Sequence, residues 1–264
     1  MYYKYKNYIS ITINVITCIT VFFSCKFLFA EDSEAPPFRA RWPIVNQEIE
    51  AGGRGFYTSD KNSEKDEITK QRYGFGVGVN DWLFYELEGE FEKEFDESLK
   101  FKAYEIDTRI ELTKTKKFNE KPNPIDIGFS LGFSKPYDNN DAHEIESRLL
   151  LYKRMGAWRS TCNVIFEKEF KNSDSNGIEM AYAGQLRYRL TTNIQPGFEL
   201  FGRFGEIGSI AVGNEQHNIG PGVFGFIELK EDVALKYEIT WLLGYTNPTP
   251  SNTYKWLLEL EYKY

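Results

Sequence analysis

Side chains alternate in character, residue by residue, through long stretches of this 264-residue chain. In residues 82–94, Leu83 and Leu87 belong to one set of alternate positions, and glutamates occupy the other set. Residues 104–112 show the same alternation, as does the C-terminal stretch. Because successive side chains of a β-strand point to opposite faces, the pattern predicts strands with one apolar and one charged face. No comparable helical spacing follows the first thirty residues, so an all-β fold is expected.

Twelve such segments follow one another along the chain. Most of them reach the roughly 9–11 residues that a tilted strand needs to cross a bilayer. The predicted strands are residues 48–58, 71–80, 82–94, 99–113, 124–134, 143–154, 158–170, 177–190, 196–206, 217–229, 232–245 and 253–264. Short and longer connections alternate between them, which is typical of outer-membrane barrels, although residues 114–123 are long for a periplasmic turn. The expected fold is an all-β, closed antiparallel transmembrane β-barrel of about 12 strands, with short periplasmic turns and moderate extracellular loops.

The first thirty residues are typical of a secretory signal peptide. Lys4 and Lys6 precede an uncharged run over residues 9–25, and Ala30 stands just before an acidic stretch. An uncleaved helical anchor and a lipoprotein cut before Cys25 are the alternatives. The first would be at the short limit for a membrane span. The chain is then expected to divide into a signal peptide, a periplasmic N-terminal segment and the barrel: residues 1–30, 31–47 and 48–264.

The charged faces of the strands are expected to point into the barrel. A basic side chain at the lipid midplane costs roughly 2–4 kcal/mol, whereas inside the barrel carboxylates and bases can pair. The predicted lumen-lining residues, which would form a pore lining or a salt-bridge network, are Glu86, Glu88, Glu90, Glu105, Asp107, Arg109, Glu111, Glu146, Arg148, Glu167, Arg187, Arg189, Glu199, Arg203, Lys236, Glu238 and Glu259.

A soluble β-sandwich or a periplasmic barrel would also have alternating strands. Two features favour the membrane barrel: one face is dense in both Glu and Arg, and aromatic residues concentrate near strand ends, as in membrane girdles. The predicted girdle is Trp82, Trp158, Trp241, Trp256, Tyr262 and Tyr264. The expected partners are outer-membrane lipid, a small solute, and the barrel-assembly machinery, which would recognise the aromatic end of the last strand. The expected location is the outer membrane of a Gram-negative bacterium.

The predicted lumen suggests a narrow, cation-favouring channel for small polar or amphipathic solutes. Carboxylates outnumber bases among the inward positions, and small residues leave room on one wall: Gly74, Gly76, Gly78, Gly128, Ser130 and Gly132. The alternative is a structural or surface-interaction barrel whose lumen an Arg–Glu network closes, with no transport or catalysis. The net charge of −7 argues against nucleic acid as a partner.

An enzyme is not expected. Outer-membrane phospholipases and deacylases need a His with a nearby Ser, often in a His-x-Ser motif. Neither His143 nor His217 begins such a motif, because an isoleucine stands two residues after each. His143 with Asp138 and Asp141 is only weakly similar to the acid pairs and histidine of an omptin-like protease, and these residues are expected to cap a turn. No catalytic residue, cofactor or metal site is therefore predicted. Cys162 is expected to face lipid as an apolar filler.

Residues 77–94 resemble a hairpin of uncharacterised proteobacterial outer-membrane β-barrels, and residues 158–170 and 183–190 are similar in the same way. The resemblance extends over most of the chain after the signal peptide. It implies a barrel fold and a function like that of small-molecule transporters, because some members of that family are described as transporters near aromatic-degradation pathways. These are motifs of the scaffold, so no site residue follows from them.

Overall fold

The computed structural model describes residues 38–113, 123–138, 140–170, 177–208 and 215–264. The predicted signal peptide, and most of the unusually long connection at residues 114–123, lie outside these ranges. Within them, no helix is both long and apolar enough to cross a lipid bilayer.

Twelve strands account for most of the described chain. They are β1 (Glu48–Ser59), β2 (Thr69–Gly78), β3 (Leu83–Lys93), β4 (Lys100–Glu111), β5 (Asp126–Pro136), β6 (His143–Met155), β7 (Trp158–Phe170), β8 (Glu179–Tyr188), β9 (Gln195–Glu206), β10 (Gln216–Lys230), β11 (Val233–Gly244) and β12 (Asn252–Lys263). Each strand pairs antiparallel with the next, and β1 pairs with β12 from Glu48↔Lys263 to Ser59↔Asn252. The predicted all-β closed barrel is confirmed.

The two ends of the barrel differ in their connections. One end, here called the terminal end, carries the start of β1 and the end of β12, together with compact turns such as the one between β6 and β7. In that turn Gly156 has a φ of +63°, a conformation that favours glycine. The opposite end, here called the loop end, carries connections that include residues 60–68 and 245–251, whereas the long connection between β4 and β5 joins strands at the terminal end.

The alternation of side chains sorts charge to the inside and apolar groups to the outside. Glu88 and Asp107 are buried on the inner face, whereas Leu87 and Ile106, their neighbours in sequence, are about half exposed on the outer face. An antiparallel barrel leaves no unpaired strand edge, so its backbone polar groups are satisfied even in an apolar medium. The outer face is therefore suited to contact with lipid.

A segment that precedes β1 lies inside the barrel. The sequence predicts a periplasmic segment over residues 31–47, whereas in the structure residues 38–45, here called the plug, lie between the strands and are buried or half-buried. Among the described residues, the plug joins no strand ladder. Its side chains alternate like those of a strand: Phe38 and Ala40 join an apolar cluster, and Arg39 and Arg41 contact carboxylates.

Candidate functional site

The apolar side of the plug packs on one wall of the lumen. The Phe38 ring meets the rings of Phe56 and Phe201 edge to face, with centroids 4.7 Å and 5.3 Å apart. The rest of this buried cluster comes from the plug and from β7, β8 and β11: Ala40, Ile165, Ala181, Ala183 and Leu242. Aromatic pairs in this geometry add to the free energy gained by burying apolar surface. The plug is therefore held in part by a small hydrophobic core inside the barrel.

Arg39 contacts carboxylates from two strands. Its Nη1 donates to both oxygens of Glu86 at 2.9 Å, and its Nη2 donates to Glu259 at 3.4 Å. Glu88 lies 3.7 Å from Nη1. A planar guanidinium suits such an arrangement because it presents several donors in fixed directions. All of these side chains are buried, so each ion pair is shielded from water.

Arg41 contacts a second carboxylate group, on β3 and β4. It pairs with Asp107, and its Nη2 lies 3.3 Å from Glu86 and 3.8 Å from Glu105. The backbone of the same residue is also held: its N donates to Oδ1 of Asn163 at 2.7 Å, and Nδ2 of Asn163 donates back to its carbonyl oxygen at 2.9 Å. Asn163 therefore contacts the plug much as a neighbouring strand would.

Trp42 completes the contacts on the terminal side of the plug. The guanidinium of Arg187 lies 4.1 Å from a ring centroid of Trp42, in cation–π geometry. Tyr152 and Phe226 lie with their ring centroids 5.9 Å and 6.0 Å from that of Trp42. Lys236 lies 5.8 Å from the same ring. The indole is thus bounded by two cations and two aromatic rings.

Two of the small residues on the predicted bare wall leave room for the plug and the residue that follows it. A Cβ placed on Gly128 would lie 2.7 Å from Cβ of Pro43, and one placed on Gly78 would lie 1.7 Å from the carbonyl oxygen of Asn46. Further along the chain, the N of Val45 donates to Glu111 at 3.0 Å. The room that these glycines leave is filled by the chain itself.

Other charged groups of the lumen pair among the strands without the plug. Nζ of Lys255 donates to both oxygens of Glu199, at 2.6 Å and 2.7 Å, and to Glu238 at 3.0 Å. Arg72 pairs with Glu90 at 2.5 Å and also with Glu105. Such buried pairs are costly to break, because one uncompensated charge then remains in the interior. The lumen therefore contains two kinds of ion pair, one between strands and one between plug and strands.

A cavity lies on each side of the plug. The larger, of about 320 Å³, opens toward the loop end and is lined by residues such as Lys70, Glu92 and Asp141. The smaller, of about 200 Å³, lies toward the terminal end beside Trp42. Arg39 lines both cavities, so the plug stands between two vestibules of one lumen.

Most of the lumen-lining residues expected from the sequence are buried inside the barrel. The buried ones are Glu86, Glu88, Glu90, Glu105, Asp107, Arg109, Glu111, Glu146, Arg148, Glu167, Arg187, Glu199, Arg203, Glu238 and Glu259. Lys236 is partly buried and pairs with Glu259 at 2.8 Å. Arg189 is placed differently: it follows β8 in a turn, where its Nη2 donates to Thr192 at 3.0 Å. Arg189 therefore lies at the terminal end of the barrel and not among the lumen-lining side chains, because β8 ends one residue before it.

The residues expected in the aromatic girdle lie near the two ends of the barrel. Trp82, Trp158, Tyr262 and Tyr264 stand at the terminal end and are 41–58% exposed. Trp241 and Trp256 stand nearer the loop end, in β11 and β12.

The sequence did not predict the contacts of the plug residues or of their partner Asn163. Phe38, Ala40 and Trp42 alternate with two arginines, which is the pattern of an extended segment with one apolar and one basic face. The run is too short to indicate which surface it contacts.

Neither histidine faces the lumen charges. His217 lies on the outer face of β10, where its Nδ1 is 2.9 Å from the hydroxyl of Tyr182. The ring of His143 stacks on Phe133 with centroids 5.8 Å apart. Cys162 is half-buried on the outer face of β7.

No protein-family model matches the sequence, and no curated protein matches it. The structure is similar to an outer membrane channel from Pseudomonas putida F1, with a TM-score of 0.55 and 12% identity over 88% of this chain and 99% of that one. Outer membrane phospholipase A from Escherichia coli aligns over 83% of this chain and 98% of its own, at 11% identity and a TM-score of 0.40. At such identity the likeness to the channel shows a shared fold, and the weaker likeness to the phospholipase carries no argument. The chain is thus a closed antiparallel barrel with the fold of an outer membrane channel.

Proposed function

We propose that this protein is an outer-membrane channel for small polar or amphipathic solutes, and that its own N-terminal plug closes the pore. The apolar outer face, the aromatic residues near both ends and the predicted signal peptide support the location. The similarity in fold to an outer membrane channel supports the function at the level of the scaffold. The final strand, with Tyr262 and Tyr264, is the proposed contact for the barrel-assembly machinery.

The position of Arg39 between two cavities carries the proposal. If the plug withdrew, the vestibules on its two sides would join into one passage. Withdrawal breaks ion pairs, hydrogen bonds and side-chain packing, but no strand ladder among the described residues. A closed structural barrel is the competing function, and the pairs that do not involve the plug, such as Lys255 with Glu199, favour it.

Planar-bilayer conductance of the purified full chain tests the proposal. The wild type should be closed with rare openings, and the double variant Arg39→Gln, Arg41→Gln should be open for most of the time. The matched control is Arg54→Gln, Arg72→Gln, which removes two guanidiniums that pair with Glu88 and Glu90 from the wall but leaves the plug intact. It should conduct like the wild type.

Silence of all three proteins, with each shown to be a folded barrel by its gel mobility before and after heating, would favour the closed structural barrel. Equal opening of both double variants would mean that lumen charge, and not the plug, sets conductance.

A further inference from the structure

We infer that the seat of the plug is a binding site for a solute with two cationic groups on an apolar or aromatic framework, and that residues 38–42 occupy it as an internal mimic. The inference rests on the proposed channel function and names the solute class that this lumen would accept. Side chains two residues apart on an extended chain lie about 7 Å apart, which sets the spacing of the two cations.

The first support is the acidic wall. Carboxylates of β1, β3 and β12 form one group, Glu50, Glu86 and Glu259, whose oxygens lie within 4.8 Å of one another. Glu105, Asp107 and Glu146 form a second such group. Arg39 contacts members of the first group, and Arg41 contacts members of the second as well as Glu86 of the first. The wall thus offers two anionic positions, and each is occupied by a guanidinium.

The plug leaves acceptors of this wall unused. Within the described residues, Oε2 of Glu50 and Oδ2 of Asp107 accept no hydrogen bond, although these side chains are 5% and 2% exposed. Buried carboxylate oxygens normally have a donor, and leaving one unpaired is costly. A ligand with more donors than the two arginines, or with freer geometry, can satisfy them better than the tethered chain does.

The second support is the set of aromatic rings that contacts the plug in the same lumen. Phe56 and Phe201 receive Phe38, and Tyr152 and Phe226 receive Trp42. A small inorganic cation has no apolar surface to bury against these rings. A cationic amphiphile buries apolar surface there while its charges meet the acids, and burial contributes roughly 25 cal/mol per Å².

The arrangement suits a guanidinium or amine better than a metal ion. Ca²⁺ takes six to eight oxygen ligands at about 2.3–2.6 Å. Each group offers one oxygen from each of three carboxylates, which is fewer than that number. In the first group one planar guanidinium reaches two of the carboxylates: Arg39 contacts Glu86 with Nη1 and Glu259 with Nη2. The loop-end cavity of about 320 Å³ reaches Arg39 and has further acids, including Glu90 and Glu92, along its wall. A cationic solute can therefore approach the site from that side.

The test uses a full-chain variant with the plug released, Phe38→Ser, Arg39→Gln, Arg41→Gln, Trp42→Ser. The probe is the peptide acetyl-Phe-Arg-Ala-Arg-Trp-amide, and the control peptide has glutamine in place of both arginines. Two readouts are taken: block of single-channel current in planar bilayers, and the unfolding temperature in detergent. A ligand that binds only the folded barrel raises that temperature.

The arginine peptide should block the current and raise the unfolding temperature, and it should bind at least tenfold more tightly than the glutamine peptide. Adding Glu86→Gln and Asp107→Asn to the variant should remove that preference. The same titration on Arg39→Gln, Arg41→Gln keeps the test decisive if the fourfold variant does not fold.

Three results would overturn the inference. They are equal effects of the two peptides, an open channel that neither peptide affects, and stabilisation by Ca²⁺ alone to the same extent as by the arginine peptide. The failure of the channel proposal is distinguishable. In that case no current would appear in any variant, while selective thermal stabilisation by the arginine peptide would still establish the site.

Discussion

Asn163 and Arg41 are joined by two hydrogen bonds, in which the amide side chain of one residue pairs with the backbone N and carbonyl oxygen of the other. Asn163 is fully buried in β7. The side chain thus anchors the middle of the plug through its backbone, independently of the charges on the arginines.

Replacing this anchor should loosen the plug. Asn163→Ala leaves two buried backbone groups of Arg41 unpaired, and an unsatisfied buried polar group costs about 1–3 kcal/mol. The open probability in planar bilayers should therefore rise roughly tenfold or more, since about 1.4 kcal/mol corresponds to a factor of ten. Ser130→Ala is the matched control, because Ser130 is also fully buried and, within the described residues, its hydroxyl has no hydrogen-bond partner. Equal behaviour of the two variants would contradict an anchoring role for Asn163.

Filling the space beneath Pro43 should also displace the plug. A Cβ on Gly128 would lie 2.7 Å from Cβ of Pro43 and 2.9 Å from the carbonyl oxygen of Ile110 in β4, so Gly128→Val requires both the plug and that strand to shift. More frequent openings and faster digestion of the N-terminal segment by added protease are expected. Gly89→Ala, on the outer face with its nearest neighbour at 3.3 Å, should leave both unchanged. A Gly128→Val protein with wild-type conductance and protease resistance would argue against close packing of the plug on this wall.

Lys255 should matter for stability and not for gating. Its ammonium is the shared partner of Glu199 and Glu238, and all three side chains are buried. Lys255→Met leaves carboxylates without that partner, and breaking a buried pair in this way typically costs about 3–5 kcal/mol. The midpoint of urea unfolding should fall clearly, while Lys100→Met, which removes an exposed pair with Glu97 at 2.7 Å, should change little. A similar small effect for both lysines would show that the inner network does not stabilise the barrel.

The strands and their two faces were predictable because both follow from local alternation. The predicted strand bounds agree with the structure to within two residues, as in β7, which was expected at residues 158–170 and spans Trp158–Phe170. The inward position of a residue such as Glu88 follows from the same alternation, since a strand that turns one face to lipid must turn the other to the lumen.

The plug was not predictable in the same way. Residues 38–42 alternate like a strand, but they form no ladder among the described residues, and a five-residue pattern does not say which surface it contacts. A surplus of inward carboxylates and a wall of small residues that includes Gly78 and Gly128 indicated a polar passage, whereas in the structure the chain itself occupies part of that space. Recognising that Arg39 and Arg41 complete this lumen needed the three-dimensional register of several strands.

The contact between two loop-end connections should depend on pH. Oδ2 of Asp60 accepts hydrogen bonds from the N and the hydroxyl of Ser251, at 2.6 Å and 2.8 Å. Slight burial raises the pKa of Asp60, but these bonds and one from the N of Asn62 outweigh it and hold the pKa below its ordinary value of 3.8. The stabilisation is therefore present above pH 3.8 and is lost as the pH falls through the lower pKa of the folded protein.

The protonation of Asp60 can be followed through the amide ¹⁵N chemical shift of Ser251, titrated from pH 6 to pH 2. Its midpoint should lie below 3.8 and disappear in Asp60→Asn. A midpoint at or above that value would contradict the contact.

Cross-linking tests most directly whether the N-terminal segment lies in the lumen. The chain Pro43→Cys, Gly128→Cys is made with Cys162→Ser, so that the thiol of Cys162 in β7 cannot compete in the oxidation. The Cβ positions at 43 and 128 are close enough for a disulfide after a small shift. A matched pair, Pro43→Cys with Gly89→Cys, places the second thiol on the outer face of the barrel. The structure predicts rapid oxidation of the first pair alone, seen as a shift in non-reducing gel mobility that dithiothreitol reverses. No cross-link in the first pair, or equal cross-linking in both, would contradict a plug seated inside the barrel.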